Sequence, residues 1–180
     1  MRRAVLFIAL SGALAGCGNS RTPVPDVATP DAPQGARDVR LKGVRFKAPV
    51  NWTDLQPQGA RTGGIQSKTA TMAIWRYPRT EPLPAGRQAL EEVRGLLVGR
   101  IKQRDASFVV TNERSTRLAG ARAIVVTGKA SIAGLPFRIR STHLFKDGTE
   151  TVVDAYARPQ DFERVDTTVF KPVLSTLRLR

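Results

Sequence analysis

Hydrophobic residues in the first half of the folded chain come in short runs that alternate with polar residues. Such runs predict strands, because side chains on a half-buried strand point alternately to the core and to solvent. Pro49 and the Gly63-Gly64 pair break the pattern. The sequence therefore predicts strands at residues 44–49, 52–56, 64–69 and 71–77.

A different period follows at residues 84–104, where hydrophobic side chains recur every three or four residues. This spacing puts them on one face of an α-helix. The face consists of Ala89, Leu90, Val93, Leu96, Leu97 and Ile101. An amphipathic helix that packs on a sheet is therefore expected here.

Four longer strands are predicted after this helix, at residues 107–117, 121–133, 135–146 and 149–157. Asp147-Gly148 suits a two-residue hairpin, because both central positions of a type I′ turn need a positive φ. Residues 159–177 read as a final helix that Pro172 kinks or divides. This order predicts an α+β domain with a mainly antiparallel sheet flanked by helices.

Most of residues 39–180 resemble the PsbP-like domain. The resemblance rests on the opening GVRFKAPVNW, the mid-chain amphipathic helix, the long meander and the ending VFKPVLSTLRL. It implies an α/β/α sandwich, in which the sheet is flanked by helices. Members of this family mostly act as accessory or binding proteins, and the fold carries no catalytic signature.

The N-terminus has the features of an exported protein. Arg2 and Arg3 precede an apolar run of about eleven residues, which is a secretory signal pattern and too short to span a bilayer. Leu14-Ala15-Gly16-Cys17 resembles the lipobox of bacterial lipoproteins, in which the cysteine is lipidated after cleavage before it. The alternative is an ordinary signal peptide followed by a chance cysteine.

This resemblance divides the chain into a signal peptide at residues 1–16, the lipidated Cys17 with a Pro-rich tether at 17–38, and a globular domain at 39–180. The tether has four prolines and almost no large apolar side chain, so it cannot bury enough surface to order itself. Its alternative is an irregular arm packed on the domain. We expect an extracytoplasmic protein anchored to the cell membrane, or to the outer membrane if the envelope has one.

The formal net charge of +14 suggests anionic partners. Basic residues are spread over all elements and no nucleic-acid-binding module is recognised, so we do not expect nucleic acid as a partner. Anionic lipid head groups, anionic wall polymers and an envelope protein complex are the candidates, and the alternative is a solvated basic surface with no partner. One cysteine and one histidine provide no typical metal site, and we expect no cofactor or metal.

The sequence lacks the common phosphate-loop, hydrolase-elbow and zinc-protease motifs. One constellation remains: the predicted hairpin pairs Ser141 with Asp154 and puts His143 on the same face. A Ser-His-Asp set is the arrangement that acyl transfer requires. Without a strained turn or an oxyanion hole, a buried histidine satisfied by Asp154 is the interpretation we favour.

Aromatic side chains provide a second kind of candidate site. Trp52, Trp75, Tyr77 and Tyr156 could line a ligand groove or pack in the core, and we favour the core for Trp75. Trp52, His143, Asp154 and Tyr156 are therefore the predicted binding residues. The expected function is a non-catalytic, lipid-anchored binding or accessory protein, and the alternative is a cell-envelope hydrolase that uses Ser141, His143 and Asp154.

Overall fold

The computed structural model describes residues 28–180. The predicted signal peptide, Cys17 and residues 18–27 of the predicted tether lie outside the described residues. The predicted α+β class is confirmed, since the described chain forms antiparallel sheets with a few helices.

Seven strands form the larger sheet, and every neighbouring pair is antiparallel. In spatial order the strands are β3 (Thr53–Leu55), β4 (Arg61–Ser67), β5 (Ala70–Pro78), β9 (Thr149–Ala157), β8 (Leu135–Lys146), β7 (Ala121–Ile132) and β6 (Val109–Leu118). Strands β6 to β9 form the predicted meander. The hairpin between β8 and β9 has the predicted register, with Ser141 opposite Asp154 and His143 opposite Val152.

A smaller sheet contains three antiparallel strands. Its order is β1 (Arg37–Leu41), β2 (Val44–Ala48) and β10 (Arg178–Leu179). The predictions missed β1 because they assigned its first residues to the tether. Strand β1 forms a hairpin with β2 and so connects the N-terminal segment to the smaller sheet.

Helix α1 (Arg87–Arg104) begins three residues later than predicted. The C-terminal helical segment consists of α2 (Pro159–Val165), a π-helical turn at Asp166–Phe170 and α3 (Lys171–Thr176). The irregular turn lies just before Pro172, which has no N–H to donate to the preceding turn. No helix within residues 28–180 is long and apolar enough to cross a membrane.

One face of the larger sheet is closed by the C-terminal helices and the smaller sheet. The helices contribute Phe162, Val165, Val169, Phe170 and Leu174, all buried. The sheets contribute Val44, Phe46, Ile65, Met72, Ile74, Leu144 and Val153 to the same cluster. We call this side the closed face.

The opposite face, which we call the cleft face, is only partly covered. Helix α1 packs over β6 and β7, where Leu90 and Ile101 meet Phe108, Ile124 and Val126. Over β5, β9 and β8 the cover is incomplete, and a cleft opens between the helix and the sheet.

Residues 28–36 correct the predicted boundary between tether and domain. The Asp31 carboxylate accepts hydrogen bonds from Ser67 and Lys68, at 3.0 and 2.7 Å, and Pro30 is buried. The Val50 amide donates to the Gln34 carbonyl at 2.9 Å. Residues 28–36 therefore follow the alternative interpretation, an irregular arm packed on the domain. The folded unit begins before residue 39.

Candidate functional site

The cleft on the cleft face has a volume of about 510 Å³. Its walls include Trp75, Tyr77 and Val152 from the sheet and Leu97 and Ile101 from α1. Four polar side chains lie on its floor, and these are Ser141, His143, Glu150 and Asp154. Arg79, Glu81 and Arg100 complete the charged part of the lining.

Strand alternation places the four floor residues together. Ser141 and His143 are two positions apart on β8, and Glu150 and Asp154 are four positions apart on β9, so all four side chains leave the same face of the sheet. Asp147 and Gly148 form a tight turn, with φ of +47° and +69°. This turn fixes the register between β8 and β9 that brings the four side chains together.

A continuous chain of polar contacts connects the floor. The Arg79 guanidinium donates to Glu150 at 2.6 Å, and the other oxygen of Glu150 lies 2.7 Å from Nδ1 of His143. Nε2 of His143 lies 3.0 Å from Oγ of Ser141. The Ser141 hydroxyl donates to Oδ1 of Asp154.

The proton positions in this chain follow from the carboxylates at its two sides. An ionised carboxylate only accepts, so Ser141 gives its single hydroxyl proton to Asp154. Oγ is then available to Nε2 only as an acceptor, and Glu150 requires a proton on Nδ1. His143 thus links the Glu150 carboxylate to the Ser141 hydroxyl, which is itself bonded to Asp154.

The contacts of Glu150 favour the ionised form of its carboxylate. Burial raises the pKa of Glu150, but the hydrogen bond to His143, the charge of His143 and the Arg79 contact together outweigh it. The net pKa lies below the ordinary value, so Glu150 is negatively charged at neutral pH.

The predicted contact between His143 and Asp154 is wrong. His143 contacts Glu150, while Asp154 contacts Ser141. The register makes both carboxylates diagonal neighbours of His143, because they lie two positions on either side of Val152. Sequence alone did not name Glu150, although the same diagonal rule that selected Asp154 also allowed it.

The predicted aromatic residues are divided between the two faces. Trp52 is 1% exposed on the closed face, edge-on to Phe170, and does not line the cleft. Trp75 lines the cleft and is also nearly buried, so the core and groove interpretations both describe it. Tyr156 is buried edge-on to Phe137 beneath the cleft face.

Tyr156 is placed to support the floor and not to titrate. Burial raises the pKa of its hydroxyl, and the negative charge of Asp154 raises it further.

Within residues 28–180, no group of three or more His, Cys, Asp or Glu side chains is placed to hold a metal ion. Cys17 lies outside the described residues, so its lipidation remains a prediction.

The fold is similar to that of PsbP-like proteins of known structure. CyanoP, the PsbP protein of Synechocystis sp. PCC 6803, aligns with a TM-score of 0.61 at 11% identity, over 94% of this chain and 100% of CyanoP. LpqN of Mycobacterium tuberculosis, a protein involved in cell envelope biogenesis, aligns with a TM-score of 0.55 at 13% identity, over 81% and 90% of the two chains.

PA94 of Pseudomonas aeruginosa aligns with a TM-score of 0.52 at 14% identity, over 81% of this chain and 97% of PA94. No family model matches the sequence, and no curated protein matches it in a sequence comparison. At these identities the likeness establishes the fold, which is PsbP-like, as the sequence resemblance predicted.

Proposed function

We propose that this chain is a lipid-anchored, extracytoplasmic binding or accessory protein of the bacterial cell envelope, without catalytic activity, and that its ligand enters the cleft. The cleft volume lies in the range of about 300–1,000 Å³ that is usual for small-molecule sites. Its apolar wall and polar floor are the combination such sites use. The similarity to LpqN, which acts in envelope biogenesis, supports the location.

The observation that carries the non-catalytic proposal is the direction of the Ser141 hydrogen bond. A serine nucleophile must give its proton to histidine, whereas here the Ser141 hydroxyl donates to Asp154. Ser141 also lies on a central strand, with β7 on one side and β9 on the other, so the nearby backbone amides are used in the sheet. They are therefore not available as an oxyanion hole.

Ligand entry is testable because the chain has two tryptophans in different places. In a Trp52→Phe variant, the remaining Trp75 in the cleft wall should change its fluorescence when a ligand binds. We would titrate muropeptides, disaccharides and soluble lipid head groups. A Trp75→Phe variant, which keeps the core Trp52, is the matched control and should not respond. Silence of Trp75 to all three classes would contradict the cleft as the ligand site.

The anchor is tested separately, by mass spectrometry of the mature N-terminal peptide from bacterial membranes. A diacylglyceryl group on Cys17 is expected. An unmodified thiol at this position would remove the lipid anchor from the proposal and leave the cleft unaffected.

A cell-envelope hydrolase is the second candidate, and one observation favours it. Ser141, His143 and Glu150 follow the order of a serine triad, with distances of 3.0 and 2.7 Å, so Glu150 takes the place predicted for Asp154. Turnover of ester and peptide substrates that is lost in both Ser141→Ala and His143→Ala would establish this alternative. The binding proposal instead expects no turnover in the wild-type protein.

A further inference from the structure

Three arginines lie side by side across the smaller sheet. Arg40 on β1 is opposite Arg45 on β2, and Arg45 is also opposite Arg178 on β10. Arg40 and Arg178 are exposed and Arg45 is half-buried. We call this row the arginine ladder.

The ladder faces away from the protein interior. Its neighbours along the strands, Val44, Phe46 and Leu179, are buried in the core beneath the sheet. Side chains alternate along a strand, so the arginines between them emerge on the outer face. The guanidinium groups are therefore presented to whatever lies outside this sheet.

No carboxylate within residues 28–180 pairs with the ladder. Arg178 donates to the carbonyl oxygens of Ser175 and Leu177, at 3.4 and 2.8 Å, which does not neutralise its charge. Asp38, in the adjacent row of the same face, is 3.3 Å from Lys47. The three positive charges are thus without an acidic partner in the described chain.

Like charges directly opposite each other destabilise a sheet. Neighbouring strands are about 4.8 Å apart, which is less than the Debye length of about 8 Å at physiological salt, so salt only partly screens the repulsion. More cations lie at the same end of the sheet, since Arg76 donates to the carbonyls of Lys42 and Arg180. An anion on the outer face would relieve the repulsion within the arginine ladder.

We propose that the arginine ladder binds the anionic head groups of the membrane that carries the lipid anchor. This inference rests on the proposed anchoring at Cys17, because the anchor decides which surface is near. Cys17 precedes Ala28 by eleven residues, and a chain of that length spans at most about 40 Å. Guanidinium groups match phosphate oxygens in charge and in planar, two-point geometry.

The test uses the chain from Gly18 to Arg180, which lacks the predicted signal peptide and anchor and contains every described strand and helix. Binding is measured by co-sedimentation with phosphatidylglycerol vesicles and with neutral phosphatidylcholine vesicles at low salt. We expect binding only to the anionic vesicles, and release at 0.5 M salt. The Arg40→Gln/Arg45→Gln variant should bind about 30-fold more weakly, as expected from about fivefold for each arginine near an anionic surface.

A matched control exists elsewhere in the sheet system. Arg117 on β6 is directly opposite Arg122 on β7, so Arg117→Gln/Arg122→Gln removes the same charge from another opposed pair. Its binding should fall less than about threefold. Neither double variant should lower the melting temperature, because each removes a repulsion.

Equal losses in the two double variants would overturn the ladder in favour of net charge alone. Binding to neutral vesicles would overturn the electrostatic basis. Tighter binding to soluble polyphosphate than to vesicles, at equal phosphate concentration, would overturn the membrane as the occupant. None of these results bears on Cys17 lipidation, which the N-terminal peptide decides independently.

Discussion

The two faces of the larger sheet use charged side chains in different ways. On the closed face, Asp166 is 1% exposed at the start of the π-helical turn and pairs with Arg140 and Lys171. On the cleft face, Glu150 pairs with Arg79 and His143 at the floor of an open cleft. Both carboxylates are largely buried, but Glu150 lines the cleft and Asp166 does not.

This difference separates a structural role for buried charge from a binding role. Large fully buried side chains, among them Trp52, Phe162 and Phe170, form the hydrophobic core of the closed face. The hydrogen-bonded polar residues of the cleft face lie instead beside Leu97, which is only half-buried. The last residue of that series, Asp154, is partly exposed. Stability should therefore depend mainly on the closed face, while substitutions on the cleft face should alter binding at a smaller cost.

The largest expected effect tests this division by removing one apolar side chain from each face. Phe170→Ala leaves a cavity in the main core and should lower the free energy of unfolding by about 3–5 kcal/mol. Leu97→Ala, where the side chain is half-buried, should cost about 1 kcal/mol. Urea unfolding measures both. Equal costs would mean that the two faces contribute alike.

The next effect concerns the charged chain in the cleft. Glu150→Gln removes the negative charge between Arg79 and His143 and leaves one accepting oxygen for two donors, so we expect a loss of about 2 kcal/mol. Asp154→Asn is the control, since its amide oxygen can still accept from Ser141. That variant should cost less than about 1 kcal/mol.

Comparing the wild type with Glu150→Gln also gives a pH dependence with a definite sign. Glu150 has a lowered pKa in the folded protein, so its stabilising contribution is complete above its ordinary value of 4.5 and is lost as the pH falls through the lowered value. Between pH 7 and pH 3 the wild type should lose more stability than Glu150→Gln. A variant that loses as much as the wild type would show that other carboxylates cause the acid sensitivity.

The hairpins were predictable because local signals determine them. Alternation located strands β6 to β9, and Asp147-Gly148 fixed the register that places Ser141 opposite Asp154. The arm at residues 28–36 was not predictable, since its order comes from distant contacts such as Asp31 with Lys68. A segment that looks unable to fold by composition is here held by hydrogen bonds to strands already in place.

The sequence predicted which residues share the face of the sheet that carries the site, but not which carboxylate contacts His143. Register placed His143 between two diagonal carboxylates, and sequence spacing alone did not choose between them. In the structure the partner is Glu150, and Arg79 binds the second oxygen of that carboxylate. Trp52 showed the same limit: it was predicted to begin a strand but lies just before β3, and the face on which it is buried depends on Phe170, far along the chain.

The smallest expected effect comes from a turn that belongs to both faces. Ala133 and Gly134 connect β7 to β8 with φ of +51° and +77°, and a positive φ is unfavourable for alanine. Ala133→Asn should raise the free energy of unfolding by about 0.5–1 kcal/mol, because asparagine tolerates this conformation in Asn-Gly turns. Asp147→Asn is the control, since the Asp-Gly turn is already favourable. Strands β7 and β8 contribute to both faces, so this gain in the free energy of unfolding should be equal in the Phe170→Ala and Leu97→Ala backgrounds. A gain confined to one background would show that the two faces unfold separately.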